Sequence, residues 1–531
     1  MLYIIPSWYK QNTWNENEQC WYVRRSKSEF DDSVKQIQLF HRNKVWPYRL
    51  IILGHVPNFR HFLHRQGMFR ARYWSCFDAM CEITRRKVAV FSFQNIQWPE
   101  GMIFEYTPFA VVAFYCGEKL AQIEFGDDGN VIRIDMFAGG KLARSYIYDD
   151  RGFVASSVVY KDDREIFQDY MMENGIWKLR RYSDDGHVEI NPTYPNFLLF
   201  YHGKGYQLKY SKLRYDSIEE VISEVLSEYI ALTDDDDVFC MAMHNQHLQI
   251  LRKSLADKKT ILSFFEDRIN LEEPGVTEMV AASDWVVTDT QETAEKIKQL
   301  VSEKKRQVID INPYDFRFAS NMSQKLTVQK ILIPVDRLSS EIFERTIHAV
   351  THYIMNNDKA EVHLFTRKSV YNRKEVLLGR TRDVLRKYGY NEMMAVLEEK
   401  KNIAENVIDA DRDAVEIRFF VDQCVDELSV SRCMREQRVF VEMSQKPEPY
   451  VQIAALSAGI PQIVSCKNQF VENRENATII NEPEQIEEPL HYYLDSLANW
   501  NDAMICSYDM GKKFSTEALL ARWRGVIDSI G

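Results

Sequence analysis

The chain has 531 residues, 45% of them hydrophobic and 27% charged, with a formal net charge of −11. That length has room for two to four domains with large cores, and the composition is that of an ordinary soluble globular protein. The acidic balance argues against bulk nucleic-acid binding, which needs a basic surface, and leaves only a local basic patch open. The nine cysteines form no Cys-x-x-Cys pair and read as reduced thiols, most of them small core residues. No apolar run approaches the ~20 residues that cross a bilayer, so membrane contact would be peripheral. The opening MLYIIPSWYK has no basic n-region and is broken by Pro6; it reads as a first strand rather than a signal peptide.

Residues 1–102 alternate strand and helix signals. Strands are expected at Leu2–Pro6, Arg49–Leu53 and Val88–Phe93. Between the first two, Val34, Ile37 and Phe40 fall at helical spacing, with Asp31 and Asp32 near the helix start. Strands separated by helices imply a parallel sheet.

From about Ile103 to Lys212 the period becomes two. Turn signals recur at Gly126-Asp127-Asp128-Gly129, Gly139-Gly140, Asp149-Asp150-Arg151-Gly152, Lys161-Asp162-Asp163, Glu173-Asn174-Gly175 and Asp184-Asp185-Gly186. Such turns between alternating runs predict an antiparallel meander of roughly seven or more strands, inserted into the α/β domain.

The α/β rhythm returns at about Ser217. It gives a helix at Ile218–Leu232, strands at Val238–Met243 and Asp284–Thr288, and a helix at Gln291–Leu300. A second Rossmann-like unit starts at the strand Lys330–Pro334. It continues through the helix Ser339–Met355 and the strands Val362–Phe365 and Val415–Phe420. Residues 485–531 read as helices. The expected organisation is a discontinuous N-terminal Rossmann-like domain (1–102 and 213–318) carrying an inserted extended β-sheet domain (103–212). A C-terminal Rossmann-like domain (319–484) follows, and then the terminal helices, which cross back to the first domain.

The stretch Val439–Ser465 (VFVEMSQKPEPYVQIAALSAGIPQIVS) is a β-loop-α-β unit. Ligands bind parallel sheets at the carboxyl ends of such strands. The unit resembles the nucleotide-sugar site of GT-B glycosyltransferases. There an acidic residue, a Gly-rich loop, a second acidic residue, a small-residue helix and Gly-x-Pro follow in order. Aligned on Gly459-x-Pro461, the second acidic position is Ala454 and the first falls at Lys446, with Glu442 or Glu448 in its place only if the loop changes length. The Gly-rich loop is replaced by Gln445–Pro449. In the same way Ile331–Ala349 looks like the GT-B segment whose arginine and lysine neutralise a diphosphate. Arg337 is retained, but Asp336 stands at the glycine position and Ile342 at the lysine position. The resemblance therefore implies an α/β, GT-B-like scaffold with much of its chemistry missing. No cofactor, metal or catalytic residue is expected.

Three further groups carry possible chemistry. His244 and His247 follow a strand end; as a metal site they lack a third ligand, and by position they match an acceptor-side histidine of the GT-B cleft. The run Asp234–Asp237 lacks calcium-loop spacing and reads as a solvated loop. The segment 60–72, with Arg60, Arg65, Arg70 and Arg72 among Phe62, Leu63, Met68 and Phe69, is either a membrane or partner surface or an ordinary packed helix. No Walker A, Gly-x-Gly-x-x-Gly or Gly-x-Ser-x-Gly motif occurs.

Over essentially its whole length the chain is similar to the first of the accessory Sec system proteins of Gram-positive bacteria. The similarity rests on Tyr3–Trp8, Phe30-Asp31-Asp32, Tyr48–Gly67, Ile261–Phe265 and the altered motif at 439–465. This implies a non-enzymatic, cytoplasmic role, peripheral at the inner face of the membrane where lipid is bound. The implied partners are two companion accessory Sec proteins, the accessory Sec motor ATPase and a serine-rich-repeat glycoprotein preprotein. A divergent glycosyltransferase drawing its acidic ligand from Glu442 or Glu448 is the alternative.

Overall fold

The computed structural model describes residues 1–10, 13–16, 18, 20, 22–23, 28–300, 307–397 and 416–530. Among them the strands form four sheets. The first is parallel and seven-stranded. Its order is Val308–Asp310, Trp285–Thr288, Lys259–Phe264, Val238–Ala242, Leu2–Ile5, Tyr48–Ile52, Tyr73–Ser75. The chain thus leaves this sheet after Ser75 and returns at Val238. In between lies a ten-stranded antiparallel sheet running from Ile103–Tyr106 to Arg214–Tyr215, with a separate hairpin of Asn196–Tyr201 and Lys204–Lys209. The last sheet is parallel, in the order Phe419–Gln423, Ala360–Thr366, Gln329–Pro334, Val439–Glu442, Gln462–Val464, Ala477–Ile479.

Local chemistry places these elements. The helix Asp32–Asn43 begins where the Asp31 carboxylate accepts from Ser33 N (3.0 Å), the usual work of an N-cap. Asp32, one residue on, is buried and paired with the guanidinium of Arg268, so only the first of the two acids is a cap. The helix Pro449–Ser457 starts on a proline and ends at Gly459, whose φ of +65° suits a residue without a Cβ. Three helices close the chain: Glu487–Leu494, Leu497–Gly511 and Thr516–Ile530. The last lies on the first sheet, where Leu519, Trp523 and Val526 join Leu2, Ile4 and Phe40 in one core. Gly459 and Gly511 let these helices approach: a Cβ would meet Tyr508 and Met504 at the first and Phe316 at the second. Among the described residues no helix is long and apolar enough to cross a membrane.

Two sequence expectations change. Val88–Phe93 forms no strand. The run lies against the inserted sheet by one backbone bond from Ala89 N to Asp150 O (3.1 Å), and Phe93 opens a short 3₁₀ turn with its ring in the insert's core. An alternating pattern without a neighbouring strand to pair has no ladder to join. The strand expected at Val415–Phe420 lies at Phe419–Gln423, and Val415 is outside the described residues.

Arg60 does not belong to a membrane or partner surface. It is buried at 8% exposure, pairs with Asp150 and with Asp149 (3.1 Å), and donates to Pro57 O (2.8 Å). Arg151 completes the cluster, holding Asp149 at 2.7 Å and Asp78 at 2.8 Å. This network fastens the inserted sheet to the first lobe. Removing one partner of a buried ion pair strands the other charge at a cost of about 3–5 kcal/mol. Arg60→Met is expected to lower unfolding free energy by that order in urea titration. Arg70→Met, at an exposed arginine of the same segment, is expected to change it by less than about 0.5 kcal/mol.

Candidate functional site

The carboxyl ends of the two parallel sheets face each other across a cleft of about 740 Å³, lined among others by Glu266, Asp267, Asp289, Arg337, Lys446 and Gln452. Arg337 follows the strand Gln329–Pro334. Its guanidinium donates to Glu266 Oε2 (3.0 Å) across the cleft and to the Lys446 carbonyl (3.2 Å). The Lys446 ammonium pairs with Asp267 at 3.2 Å. Arg337 and Lys446 are therefore engaged by carboxylates of the opposite lobe, while Lys296 and Lys467 also line the cleft. Glu266 is held for this purpose at φ +45°, a conformation uncommon for a residue with a side chain. Its own N–H donates to Asp289 Oδ2 (2.9 Å).

The remaining motif positions are equally committed. Asp336 accepts from Thr366 Oγ1 (2.7 Å), Arg367 N (2.7 Å) and Arg373 (2.8 Å), fastening neighbouring loops of its own lobe. Ile342 sits in the first turn of its helix, where its N–H donates to the Ser339 cap (3.1 Å) and its side chain packs against the core. Ala454 packs against the apolar cluster around Val451 and Ala455. Glu442 is buried and accepts from Ser444 N (2.8 Å); burial pushes its carboxyl up to about 8. Glu448 is ion-paired with Arg367.

The histidines are neutral fasteners. His247 is buried with Nδ1 2.7 Å from the Ala242 carbonyl, so Nδ1 carries the proton and Nε2 faces the Tyr9 hydroxyl at 3.3 Å. Burial pushes it down to about 3. His244 caps the helix Asn245–Ser254, accepting from Gln246 N (3.2 Å), and burial pushes it down to about 4. A general base works best with a pKa near the working pH, which neither has. Among the described residues no third metal-ligating side chain joins them. In the acidic run, Asp235 and Asp236 pair with Lys258 and Lys259, and Asp237 is buried. Of the basic segment, Arg65 is held by Glu18 (2.6 Å) and Asp128, while Arg70 and Arg72 are exposed.

Sequence reading missed Glu266, Asp267 and Asp289. Their signal was positional: each lies just past a strand of the first sheet, where ligand-facing loops occur.

A family model for the first accessory Sec system protein matches residues 1–529. The chain belongs to that family. The accessory Sec system protein of Streptococcus gordonii in this family is 30% identical, over 98% of each chain. The crystal structure of accessory secretory protein 1, 2 and 3 of Streptococcus pneumoniae contains a similar chain. It is 25% identical with a TM-score of 0.77, covering 100% of this chain and 99% of that one. The fold itself is GT-B. The pneumococcal O-GlcNAc transferase GtfA, solved with UDP and GlcNAc, is only 11% identical yet superposes with a TM-score of 0.68, over 100% of this chain and 99% of that one.

The buried carboxyl of Glu442 has a pH signature. Its folded pKa, about 8, lies above the ordinary glutamate value, so the folded state binds more protons between about 4.5 and 8. Its contribution is fully present below that window and is lost as pH rises through it, with a slope of up to about 1.4 kcal/mol per pH unit. Glu442→Gln is expected to flatten this loss, gaining on the wild type in urea unfolding at pH 8 and not at pH 4.5.

Proposed function

We propose that the chain is a non-enzymatic, cytoplasmic component of the accessory Sec system. In this reading it acts with the companion accessory proteins and the motor ATPase to export serine-rich-repeat glycoprotein adhesins. One observation carries the non-enzymatic part. Arg337, the cation retained at the diphosphate position, is tied to Glu266, Ile342 stands where the second cation would be, and the position of a sugar- or ribose-holding carboxylate is the methyl group of Ala454. A methyl group accepts no hydrogen bond from a hydroxyl, and carboxylates at the cleft oppose an entering phosphate. The joint crystal structure of accessory secretory proteins 1, 2 and 3 supports the companions as partners. Arg70 and Arg72 are the side chains this reading offers to an anionic membrane surface or an acidic partner.

The alternative, a transferase using Glu442 or Glu448, is disfavoured because burial protonates the first and Arg367 occupies the second. Isothermal titration with UDP-N-acetylglucosamine and UDP-glucose decides between them. The expected result is no saturable heat at millimolar sugar nucleotide, together with co-purification of the chain with its companions. Micromolar binding abolished by Arg337→Ala would restore the transferase reading.

A further inference from the structure

Outside the interlobe cleft, a cavity of about 320 Å³ opens past the carboxyl ends of the strands Leu2–Ile5 and Tyr48–Ile52, beside the turn that carries Asp127. One wall is aromatic. Trp8 packs against Phe62 at 4.8 Å and against Phe59 at 6.1 Å, and both Trp8 and Phe62 are half-buried. Among the described residues the charged lining is Glu16, Glu18, Glu29, Asp127 and Arg65. Arg65 is held by Glu18 (2.6 Å) and by Asp128. Glu29 accepts from Glu427 N (2.8 Å), and the nearby Lys35 is itself paired with Glu427. Glu16 accepts from Asn58, from N at 3.0 Å and from Nδ2 at 2.7 Å. Burial pushes its carboxyl up to about 8, and the acids Glu18 and Asp150 push the same way. A carboxyl held in that state lacks a positive charge to ionise against.

We propose that this cavity binds a primary ammonium group on an apolar stem, the ammonium at Glu16 and the stem along Trp8 and Phe62. The lining selects that chemistry. An ammonium carries three donors and no acceptor, and the side chains here have acceptors in excess. The donors are largely spent: Arg65 on its two acids, Trp8 Nε1 on Asp31 Oδ1 (3.1 Å), and the Tyr9 hydroxyl beside His247 (3.3 Å). Gln66 offers one group of each kind. A sugar, whose hydroxyls accept as well as donate, would leave much of its capacity unmet. An anion meets four acids and an arginine already engaged. Among the described residues no three of these carboxyls come together as a metal site. Aromatic faces attract a cation and also cover its stem. The same chemistry comes from a free amine or from a lysine side chain of a polypeptide. The inference stands apart from the export reading.

The test is isothermal titration of the full chain with three probes: n-butylammonium chloride, Nα-acetyl-lysine methylamide, and 1-butanol, which has the stem without the charge. The expected result is millimolar binding of at least one ammonium probe, with butanol at least about tenfold weaker. Glu16→Gln keeps an oxygen for Asn58 but cannot ionise. It is expected to weaken ammonium binding about tenfold and to leave butanol within about twofold. Phe62→Leu removes the ring and is expected to weaken ammonium binding about threefold. Thermal melting identifies a variant that fails to fold, and the comparison of ammonium with butanol on the wild-type chain decides the matter without either variant. Tighter binding of the lysine derivative supports a polypeptide side chain as the source, and tighter binding of butylammonium supports a free amine. No saturable heat from either ammonium at about 50 mM, or butanol binding as tightly as the ammonium, overturns the inference. So does a folded Glu16→Gln variant that binds the ammonium as the wild type does.

Discussion

The two lobes meet at Phe30, and the geometry of the cleft depends on that contact. Phe30 comes from the first lobe, just ahead of the helix Asp32–Asn43. Its ring packs edge-on against Tyr450 of the second lobe at 4.6 Å, and the guanidinium of Arg367 lies 3.6 Å from its centroid. The Tyr314 hydroxyl, from the segment between the lobes, donates to the Phe30 carbonyl at 2.6 Å. A desolvated arginine over an aromatic face contributes up to about 2 kcal/mol, and Glu448 keeps that arginine from being an unpaired charge in a partly buried site. Glu29 and Lys35 add polar contacts to Glu427 on the same side. With the lobes held there, the loops after Phe264, Thr288 and Glu442 have no choice but to face one another.

That closure explains why the cleft carries carboxylates where a glycosyltransferase cleft carries a diphosphate. Arg337 and Lys446 stand on the same wall, after strands of the second sheet, and without a ligand they would lack a counter-charge. Here Glu266 and Asp267 supply the negative charge permanently, and each cation reaches across to one of them. These pairs are partly exposed and individually weak. Their effect lies in occupancy: the same guanidinium cannot hold both a carboxylate and a phosphate in one geometry. Glu448 makes the point from the other side. It stands near the place of a donor-site acid, but its charge is spent on Arg367 and hence on the lobe contact at Phe30.

The two parallel sheets and the long meander were legible because they depend on period and turn chemistry, which are local. The Gly-Asp and Asn-Gly turns at 126–129 and 173–175 bound strands that the structure contains, and Gly459-x-Pro461 stops a helix where it should. What was not legible depends on pairs distant in the chain. Arg60 looks like one more basic residue in a basic segment until Asp149 and Asp150, some ninety positions later, close over it. Val88–Phe93 alternates like a strand, yet strand formation needs a neighbouring ladder, and the inserted sheet gives it ring contacts and a backbone bond from Ala89 to Asp150. Glu266 and Asp289 belong to no motif. They matter because closure brings their loops against Arg337 and the helix that carries Gln452.

Reactive residue types are therefore a poor guide to function in this chain. His247 has the identity and the position of a catalytic base, but one ring nitrogen donates to Ala242 and the other faces Tyr9, so neither is left to move a proton. Glu442 ends a strand of the second sheet, but burial keeps it protonated and Ser444 takes up one of its oxygens. These groups stabilise loops in the way backbone caps do elsewhere. The motif acids and histidines of this fold are spent on its own loops, which is why their residue types do not by themselves report a chemistry.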